Sequence, residues 1–195
     1  MKKLIFALIA GSAAMAAQAQ TATTATTTAP RAYVGAGVAA AESEYRIPGA
    51  SSVSSRGFKG SGKIFGGVEI DQTFGVEAGY TDFRKSRANY TVNGVPGVAE
   101  ADGYGAYVAG KATMPVNEKT SVYAKAGVAH TKREMTSATP GLTRKESDNA
   151  LYGALGAQYA VNDQVSLIAE YERYGKKADF GTKPDVWTIG AKYKF

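Results

Sequence analysis

Apolar and polar residues alternate with a period of two in eight separate segments of the chain from Ala32 onward. This period places successive side chains on opposite faces of an extended strand. No segment carries the apolar stripe at 3.6-residue spacing that an amphipathic helix needs. We therefore predict an all-β fold whose strands span Ala32–Ala41, Ser61–Ile70, Phe74–Phe83, Gly103–Met114, Thr120–His130, Ala150–Val161, Val165–Tyr174 and Asp185–Phe195.

The connections between these segments alternate between long and short. The long connections are Glu42–Gly60, Arg84–Asp102, Thr131–Asn149 and Gly175–Pro184, and only short turns separate the other strands. A soluble β-sandwich has no reason to place every long loop at one end, whereas short turns at one end and long loops at the other are typical of a transmembrane barrel. An even number of strands then brings both termini to the side of the short turns.

Alternation alone does not decide which face of the sheet is inside, because a soluble lipocalin-like barrel would bury the apolar face. Aromatic residues of the apolar face favour the membrane interpretation, since they cluster near strand ends, where two interfacial girdles would lie. These residues are Phe74, Tyr80, Tyr104, Tyr159, Tyr171, Trp187, Tyr193 and Phe195.

The first residues of the chain have the features of a secretory signal peptide. Lys2 and Lys3 precede an apolar stretch over Leu4–Ala17, and the small residues Ala17 and Ala19 form a cleavage motif. A membrane anchor is disfavoured because this stretch is shorter than the ~20 residues that a spanning helix needs. We predict a signal peptide over residues 1–19.

The segment that follows is a Thr/Ala tract over residues 20–31 with almost no charge and no large side chain. Such a tract buries too little apolar surface to offset its ordering entropy, so we predict a flexible leader. The barrel domain is then residues 32–195.

In a membrane barrel the apolar face meets lipid and the polar face lines the lumen. Nine charged residues share this polar face: Lys63, Glu69, Glu77, Lys111, Lys125, Glu170, Glu172, Lys192 and Lys194. An eight-stranded barrel is just wide enough for side chains to fill it, and buried charges require partners. We predict a closed network with Glu77 paired to Lys111 and Glu170 paired to Lys192. A lumen that conducts ions is the alternative.

The composition excludes several kinds of chemistry. The chain has no Cys and one His, so it offers no thiolate zinc site and no multi-histidine metal site, and we expect no cofactor. His130 lies at the outer end of the predicted fifth strand, and the His-x-Ser pattern of lipid A deacylases is absent because position 132 is Lys. We predict no catalysis, with His130 as a polar interfacial residue.

Basic residues collect near the outer ends of the predicted strands, where Lys and Arg would meet the phosphates of lipopolysaccharide. We expect this rim to include Arg84, Lys132, Arg133, Arg173 and Lys176. The formal net charge of +6 is dispersed among acidic residues, so a nucleic-acid partner is not expected.

The chain ends in TIGAKYKF, in which a polar residue, a glycine and two aromatic residues stand at Thr188, Gly190, Tyr193 and Phe195. This ending is similar to the assembly signal of outer-membrane barrels. Together with the opening AYVGAGV at residues 32–38, it makes the chain resemble the small eight-stranded OmpA/OmpX-type barrels, which include the Opa and Ail surface proteins.

The resemblance implies an eight-stranded antiparallel up-and-down transmembrane β-barrel in the cell outer membrane. It also implies insertion by the barrel assembly machinery, a monomer, periplasmic termini and four extracellular loops. We therefore expect a surface protein that serves adhesion or envelope integrity and carries a host or surface ligand on its loops. A small porin-like channel and a lipid A-modifying enzyme are the alternatives.

Overall fold

The computed structural model describes residues 29–45, 50–55, 59–92, 95–137, 144–175 and 180–195. The predicted signal peptide and most of the predicted leader lie outside these residues. Within them the strands are β1 (Arg31–Tyr45), β2 (Ala50–Ser55), β3 (Lys59–Glu69), β4 (Phe74–Val92), β5 (Val95–Pro115), β6 (Thr120–Ser137), β7 (Arg144–Ala160), β8 (Val165–Tyr174) and β9 (Phe180–Lys194). The same ranges contain no helix that is long and apolar enough to cross a membrane.

Eight of the strands form a closed antiparallel barrel, which confirms the predicted fold. Strand β1 pairs with β3 on one side and with β9 on the other, so the first and last strands meet. The pairing of β4 with β5 completes the ring. Closure leaves no free edge among these eight strands, which is the condition for a sheet in lipid.

Strand β2 was not predicted and is not one of the eight strands of the ring. It pairs with the outer part of β4, beyond the part that pairs with β3, where Ser55 lies opposite Ala88 and Ala50 lies opposite Val92. It falls within the predicted loop Glu42–Gly60, which is therefore only partly a loop.

The strands on the side of the long loops extend further than the sequence predicted. Strands β4 and β5 remain paired as far as Val92 and Val95, so most of the predicted loop Arg84–Asp102 is sheet. Strand β5 has 21 residues, whereas crossing the membrane takes about 9–11. Apolar alternation marks only the portion that faces lipid, and beyond it the backbone ladder continues without that pattern.

The three described turns of the opposite end share one structure. In each, the side-chain oxygen of the turn's second residue accepts hydrogen bonds from the N–H groups two and three residues further on, as in an Asx turn. The accepting residues are Asp71, Asn117 and Asn162. These side chains satisfy the amides that the tight reversal leaves outside the ladder.

The high glycine content follows from how the lumen is filled. Tyr107 lies directly opposite Gly79 on the neighbouring strand, and a Cβ at Gly79 would lie 2.5 Å from the tyrosine ring. Tyr123 covers Gly156 in the same way, again with a 2.5 Å approach. The pairs Tyr33–Gly67 and Phe65–Gly35 repeat this arrangement. Large rings therefore lie flat in the narrow barrel because their cross-strand neighbours have no side chain.

The outward face is an apolar surface. Leu151 and Ile189 are 81% and 73% exposed, as the lipid-facing phase predicts. Three pairs of aromatic residues lie on this face: Tyr171 with Trp187, Tyr193 with Phe195, and Tyr80 with Tyr104. Tyr193 and Phe195 lie at the end of β9, whereas the other two pairs lie within strands that continue beyond them. Exposed apolar side chains over so wide an area are unfavourable in water and favourable in a bilayer.

Candidate functional site

The polar face of the strands lines the lumen as predicted. Seven of the nine predicted charges are buried there: Lys63, Glu77, Lys111, Lys125, Glu170, Glu172 and Lys192. The other two, Glu69 and Lys194, lie at the end of the short turns and keep about a fifth of their side chains exposed.

Five of the buried groups form a chain of alternating charge across the centre of the lumen. Lys63 Nζ lies 2.7 Å from Glu170 Oε1 and 2.7 Å from Glu172 Oε1. Lys125 Nζ then joins Glu170 Oε2 to Glu77 Oε1. Each charge thus lies against an opposite one, which is the condition for keeping it ionised away from water.

A second group of charges lies nearer the short turns. Lys192 Nζ is 2.8 Å from Glu69 Oε1 and donates a hydrogen bond to Gln158 Oε1 at 2.8 Å. Lys194 lies 3.5 Å from the other oxygen of Glu69. Lys111 forms no ion pair with any carboxylate in the described ranges. Its ammonium lies over two aromatic faces, 4.5 Å from the Tyr123 centroid and 5.2 Å from the Tyr33 centroid.

Both predicted pairings are wrong. Glu77 pairs with Lys125 instead of Lys111, and Glu170 pairs with Lys63 and Lys125 instead of Lys192. The prediction joined adjacent strands, but every ion pair of the central chain skips at least one strand and crosses the lumen. In so narrow a barrel, long side chains reach across more readily than along the wall.

Tyrosine hydroxyls complete the coordination of the buried carboxylates. Glu172 Oε2 accepts hydrogen bonds from Tyr152 at 2.8 Å and from Tyr174 at 2.9 Å, and Thr188 donates to Oε1 at 2.6 Å. Tyr33 and Tyr107 donate to Glu77 in the same manner. These tyrosines were not among the predicted site residues, although their position on the polar phase of their strands indicates that they face the lumen.

Towards the long loops the lumen changes from charges to packed rings. The rings of Tyr107 and Tyr152 stack with centroids 4.1 Å apart, and Tyr174 meets Tyr152 edge-on at 5.0 Å. Phe83 lies 6.0 Å from Tyr174 and, with Val186 and small alanines, completes this cluster. Charged and aromatic layers together fill the described lumen with side chains.

The predicted basic rim is only partly present. Lys132 lies on the outward face and forms a 2.9 Å ion pair with Glu134, whose carboxyl pKa is lowered by the hydrogen bond from Lys132. Arg173 is about half exposed and lies 3.4 Å from Asp185. The rim prediction is wrong for Arg133, which lies on the lumen phase of β6 and is 8% exposed.

The phase of Lys125 on the same strand already implied an inward position for Arg133. The predicted positions of the other two rim residues stay predictions. Lys176 lies outside the described residues, and the side chain of Arg84 is outside them as well.

His130 lies on the outward face of β6 and contacts two residues of β7. Its Nδ1 is 2.7 Å from Asn149 Oδ1, and its Nε2 is 3.3 Å from Ser147 Oγ. The Tyr104 ring lies beside it, with centroids 6.2 Å apart. This cluster was not predicted, because a His-x-Ser pattern concerns one strand only, whereas the serine beside His130 lies on the neighbouring strand.

The residues of the predicted assembly signal occupy both faces of β9. Thr188 is buried against Glu172, and Gly190 lies so close to Gly37 of β1 that a side chain would not fit. Tyr193 and Phe195 point outward with their rings edge to face. The Phe195 N–H donates to Ala32 O at 3.0 Å and so ties the two ends of the barrel domain together.

Among known protein families, one matches this chain. The family described as outer membrane protein beta-barrel domain matches residues 4–195. A search of curated proteins finds no significant match.

Several solved structures share the fold at low identity. Ail, the attachment invasion locus protein of Yersinia pestis, in complex with the heparin analogue sucrose octasulfate, is 18% identical, with 85% of this chain and 97% of that chain covered and a TM-score of 0.52. OprG of Pseudomonas aeruginosa is 15% identical, with 85% and 95% covered and a TM-score of 0.60. AlkL, solved in lipid bilayers, is 13% identical, with 89% and 94% covered and a TM-score of 0.58.

Proposed function

Because the chain belongs to the outer membrane protein beta-barrel domain family, we propose that it is a surface protein whose closed barrel holds extracellular loops for adhesion or for contacts within the envelope. Both termini then face the periplasm, on the side of the Asx turns. The long connections face the outside of the cell.

The observation that carries this proposal is the filled lumen. Charged pairs occupy its centre, and stacked rings occupy its outer half. A lumen packed in this way supports a rigid scaffold for loops more than a channel, because an eight-stranded barrel is just wide enough for side chains to fill. The display role itself requires no catalysis.

The lengths of the strands support the same proposal. Strands β4 to β7 continue well beyond the lipid-facing belt, and β2 adds a further strand to β4. Antiparallel pairing keeps these extensions ordered, since Asn89 lies opposite Val98 and Met135 lies opposite Arg144. They would carry the loop tips above the lipid headgroups, where a partner can reach them.

Anionic sugars are the partner class that we propose for this outer region. Ail, which shares the fold, was solved with a sulfated sugar. In this chain Lys132, Lys145 and Arg173 lie on the outward surface near the base of the extensions. Phosphates of lipopolysaccharide or sulfates of a host glycan would exchange with their carboxylate partners through charge-assisted hydrogen bonds.

We also propose that Thr188, Gly190, Tyr193 and Phe195 are read by the barrel assembly machinery during insertion. The exposed ring of Phe195, next to the junction of β9 and β1, supports this role. Phe195→Ala should lower the amount of protein in the outer membrane, whereas Phe74→Ala, another exposed aromatic residue at the same end, should not. Equal outer-membrane levels of both variants and the native chain would contradict the proposal.

The display role is tested by shortening the two strand extensions separately. Replacing residues 89–98 by Asn-Gly keeps the Ala88–Ala99 pair, and replacing residues 136–143 by Asn-Gly keeps the Met135–Arg144 pair. Cells carrying each variant are compared for binding to immobilised heparin, to matrix proteins and to lipopolysaccharide. Heat-modifiable migration on a gel serves as the folding control.

We expect at least one shortened variant to lose most of the binding while its barrel remains folded. If both folded variants bind every surface as strongly as the native chain does, the loops do not carry the function. The display proposal then fails.

A further inference from the structure

The cluster of His130, Asn149 and Ser147 has no role in holding or displaying the loops. We propose that Ser147, His130 and Asn149 form a catalytic triad that hydrolyses acyl esters of outer-leaflet lipids. This activity goes beyond the display role and does not depend on it.

The hydrogen bonds of His130 assign a role to each member of the triad. Asn149 Oδ1, 2.7 Å from Nδ1, accepts a hydrogen bond and so fixes the proton on that nitrogen. The lone pair of Nε2 then points towards Ser147 Oγ at 3.3 Å. A nucleophile beside a base that a third group orients is the geometry of covalent catalysis, and an amide serves as the third group in some such sites. The serine contact is longer than an ideal hydrogen bond, as is common before substrate binds.

Strand register holds the three side chains together on one face. His130 of β6 lies directly opposite Asn149 of β7, and Ser147 is the next outward-facing residue along β7. Because the contacts come from two paired strands of a closed barrel, the geometry does not depend on a mobile loop.

The position of the triad along the barrel indicates the substrate class. One outward-facing step towards the short turns, Val128 and Leu151 are 61% and 81% exposed on the lipid face. One step in the other direction, Lys132 lies opposite Ser147, outside the apolar belt. The triad therefore lies at the border between apolar and polar surface, where the ester bonds of a lipid lie between its acyl chains and its headgroup.

The reaction follows from these roles. Ser147 Oγ attacks the ester carbonyl while its proton moves to His130 Nε2, and the tetrahedral intermediate collapses as the proton passes to the departing alcohol oxygen. Water then attacks the acyl–serine ester while its proton moves to the same nitrogen, and that proton passes to the departing Ser147 Oγ as the fatty acid is released. Lys132 lies in register with Ser147, and its ammonium would have to leave Glu134 to stabilise the oxyanion.

The test uses the purified full barrel in detergent micelles and asks two questions of the same samples. A fluorophosphonate probe, which phosphonylates an activated serine and releases fluoride, is mapped by mass spectrometry of peptides. Release of fatty acid is measured from mixed micelles of dioleoyl phosphatidylethanolamine and separately from hexa-acylated lipid A. The two substrates share the acyl ester and distinguish a glycerophospholipid source from an acylated glucosamine source.

Variants separate catalysis from a structural role. Ser147→Ala and His130→Gln should lower fatty acid release by on the order of 100-fold or more, since each removes the nucleophile or its base. Ser121→Ala, at the far end of β6, is the matched serine control and should keep full activity. Asn149 acts as a positioning residue, so Asn149→Leu should lower kcat with little change in KM, and Asn149→Asp should restore kcat.

Labelling of Ser147 that disappears in His130→Gln, together with release from either lipid, supports the triad. Heat-modifiable migration on a gel shows that each variant remains folded. If the native barrel shows neither labelling of Ser147 nor fatty acid release above that of Ser147→Ala, the contacts of His130 are only structural. The proposal is then overturned.

Discussion

The two halves of the lumen are stabilised by different interactions, although their side chains come from the same strands and the same inward face. The half nearer the short turns is ionic, with Lys63, Lys125 and three glutamates in one alternating chain. The outer half is a cluster of stacked rings around Tyr107 and Tyr152. In the first, each charge must meet an opposite charge, whereas in the second the rings must fit together and their hydroxyls must reach Glu77 and Glu172.

This difference shows that an inward-facing position in a small barrel can carry either a charged or an aromatic side chain. A charge there is tolerable only while its partner is present, because the desolvation cost of an unpaired ion is several kcal/mol. An aromatic ring there depends on the glycine opposite it, as Tyr107 depends on Gly79. The two halves should therefore respond differently to substitution.

The largest effect is expected in the ionic half. Glu77→Leu leaves Lys125 with one carboxylate and leaves two tyrosine hydroxyls without their acceptor, so it should lower the free energy of unfolding by about 3–5 kcal/mol. The measurement is urea unfolding in lipid vesicles. The double variant Glu77→Leu/Lys125→Met should cost clearly less than the sum of the two single changes. Additive losses would show that the pair is not coupled.

In the aromatic half, a substitution destabilises the fold by leaving a cavity and not by leaving an unpaired charge. Phe83→Ala should cost about 3 kcal/mol, since it removes a buried ring from the edge of Tyr174. The matched change Phe83→Leu should cost less than about 1.5 kcal/mol because it conserves most of the volume. Unfolding in the same vesicles measures both. If Phe83→Leu destabilises the protein as much as Phe83→Ala does, the stability of this half does not depend on filled volume alone.

A smaller effect is expected where the halves meet. The Tyr174 hydroxyl donates to Glu172 and lies 3.2 Å from Thr81 Oγ1, while its ring belongs to the aromatic cluster. Tyr174→Phe keeps the ring and removes the hydroxyl, so it should cost about 1.5 kcal/mol, as expected for a hydrogen bond to a charged group. A loss equal to that of Phe83→Ala would mean that this hydroxyl, more than ring packing, holds the outer half together.

The smallest effect lies outside the lumen, in the turns. Hydrogen bonds from the backbone N–H groups of Phe74 and Thr73 lower the pKa of the Asp71 carboxyl. A carboxyl with a lowered folded pKa stabilises the fold above its unfolded pKa, and this contribution is lost as the pH falls through the folded value. In thermal unfolding between pH 6 and pH 2, the native protein should therefore lose slightly more stability than Asp71→Asn does. An identical pH profile for both proteins would contradict the role of this turn.

The sequence was sufficient to predict the barrel and the face on which the nine predicted lumen charges lie. Both follow from the period of two, which is local and strong. The same phase, applied consistently, also predicts the inward position of Arg133 and the role of tyrosines such as Tyr152.

The sequence did not predict which charged side chains pair with one another. Lys63 and Glu170 are 107 residues apart and meet only because the closed barrel brings β3 across from β8. The contact of His130 with Ser147 depends in the same way on the register of two strands. The outer parts of the strands were missed because they lack apolar alternation, although their backbone ladder continues.

The central claim is that paired charges and stacked rings close the lumen, and recording from planar bilayers tests it most directly. Purified barrel, folded as judged by heat-modifiable migration, should give no stable unitary current steps at neutral pH. Phe83→Ala/Tyr107→Ala, which thins the outer layer, should conduct more than the native protein. Stable, uniform current steps from the native protein would contradict the account, because they would require a continuous water path between Lys63 and the rings above it.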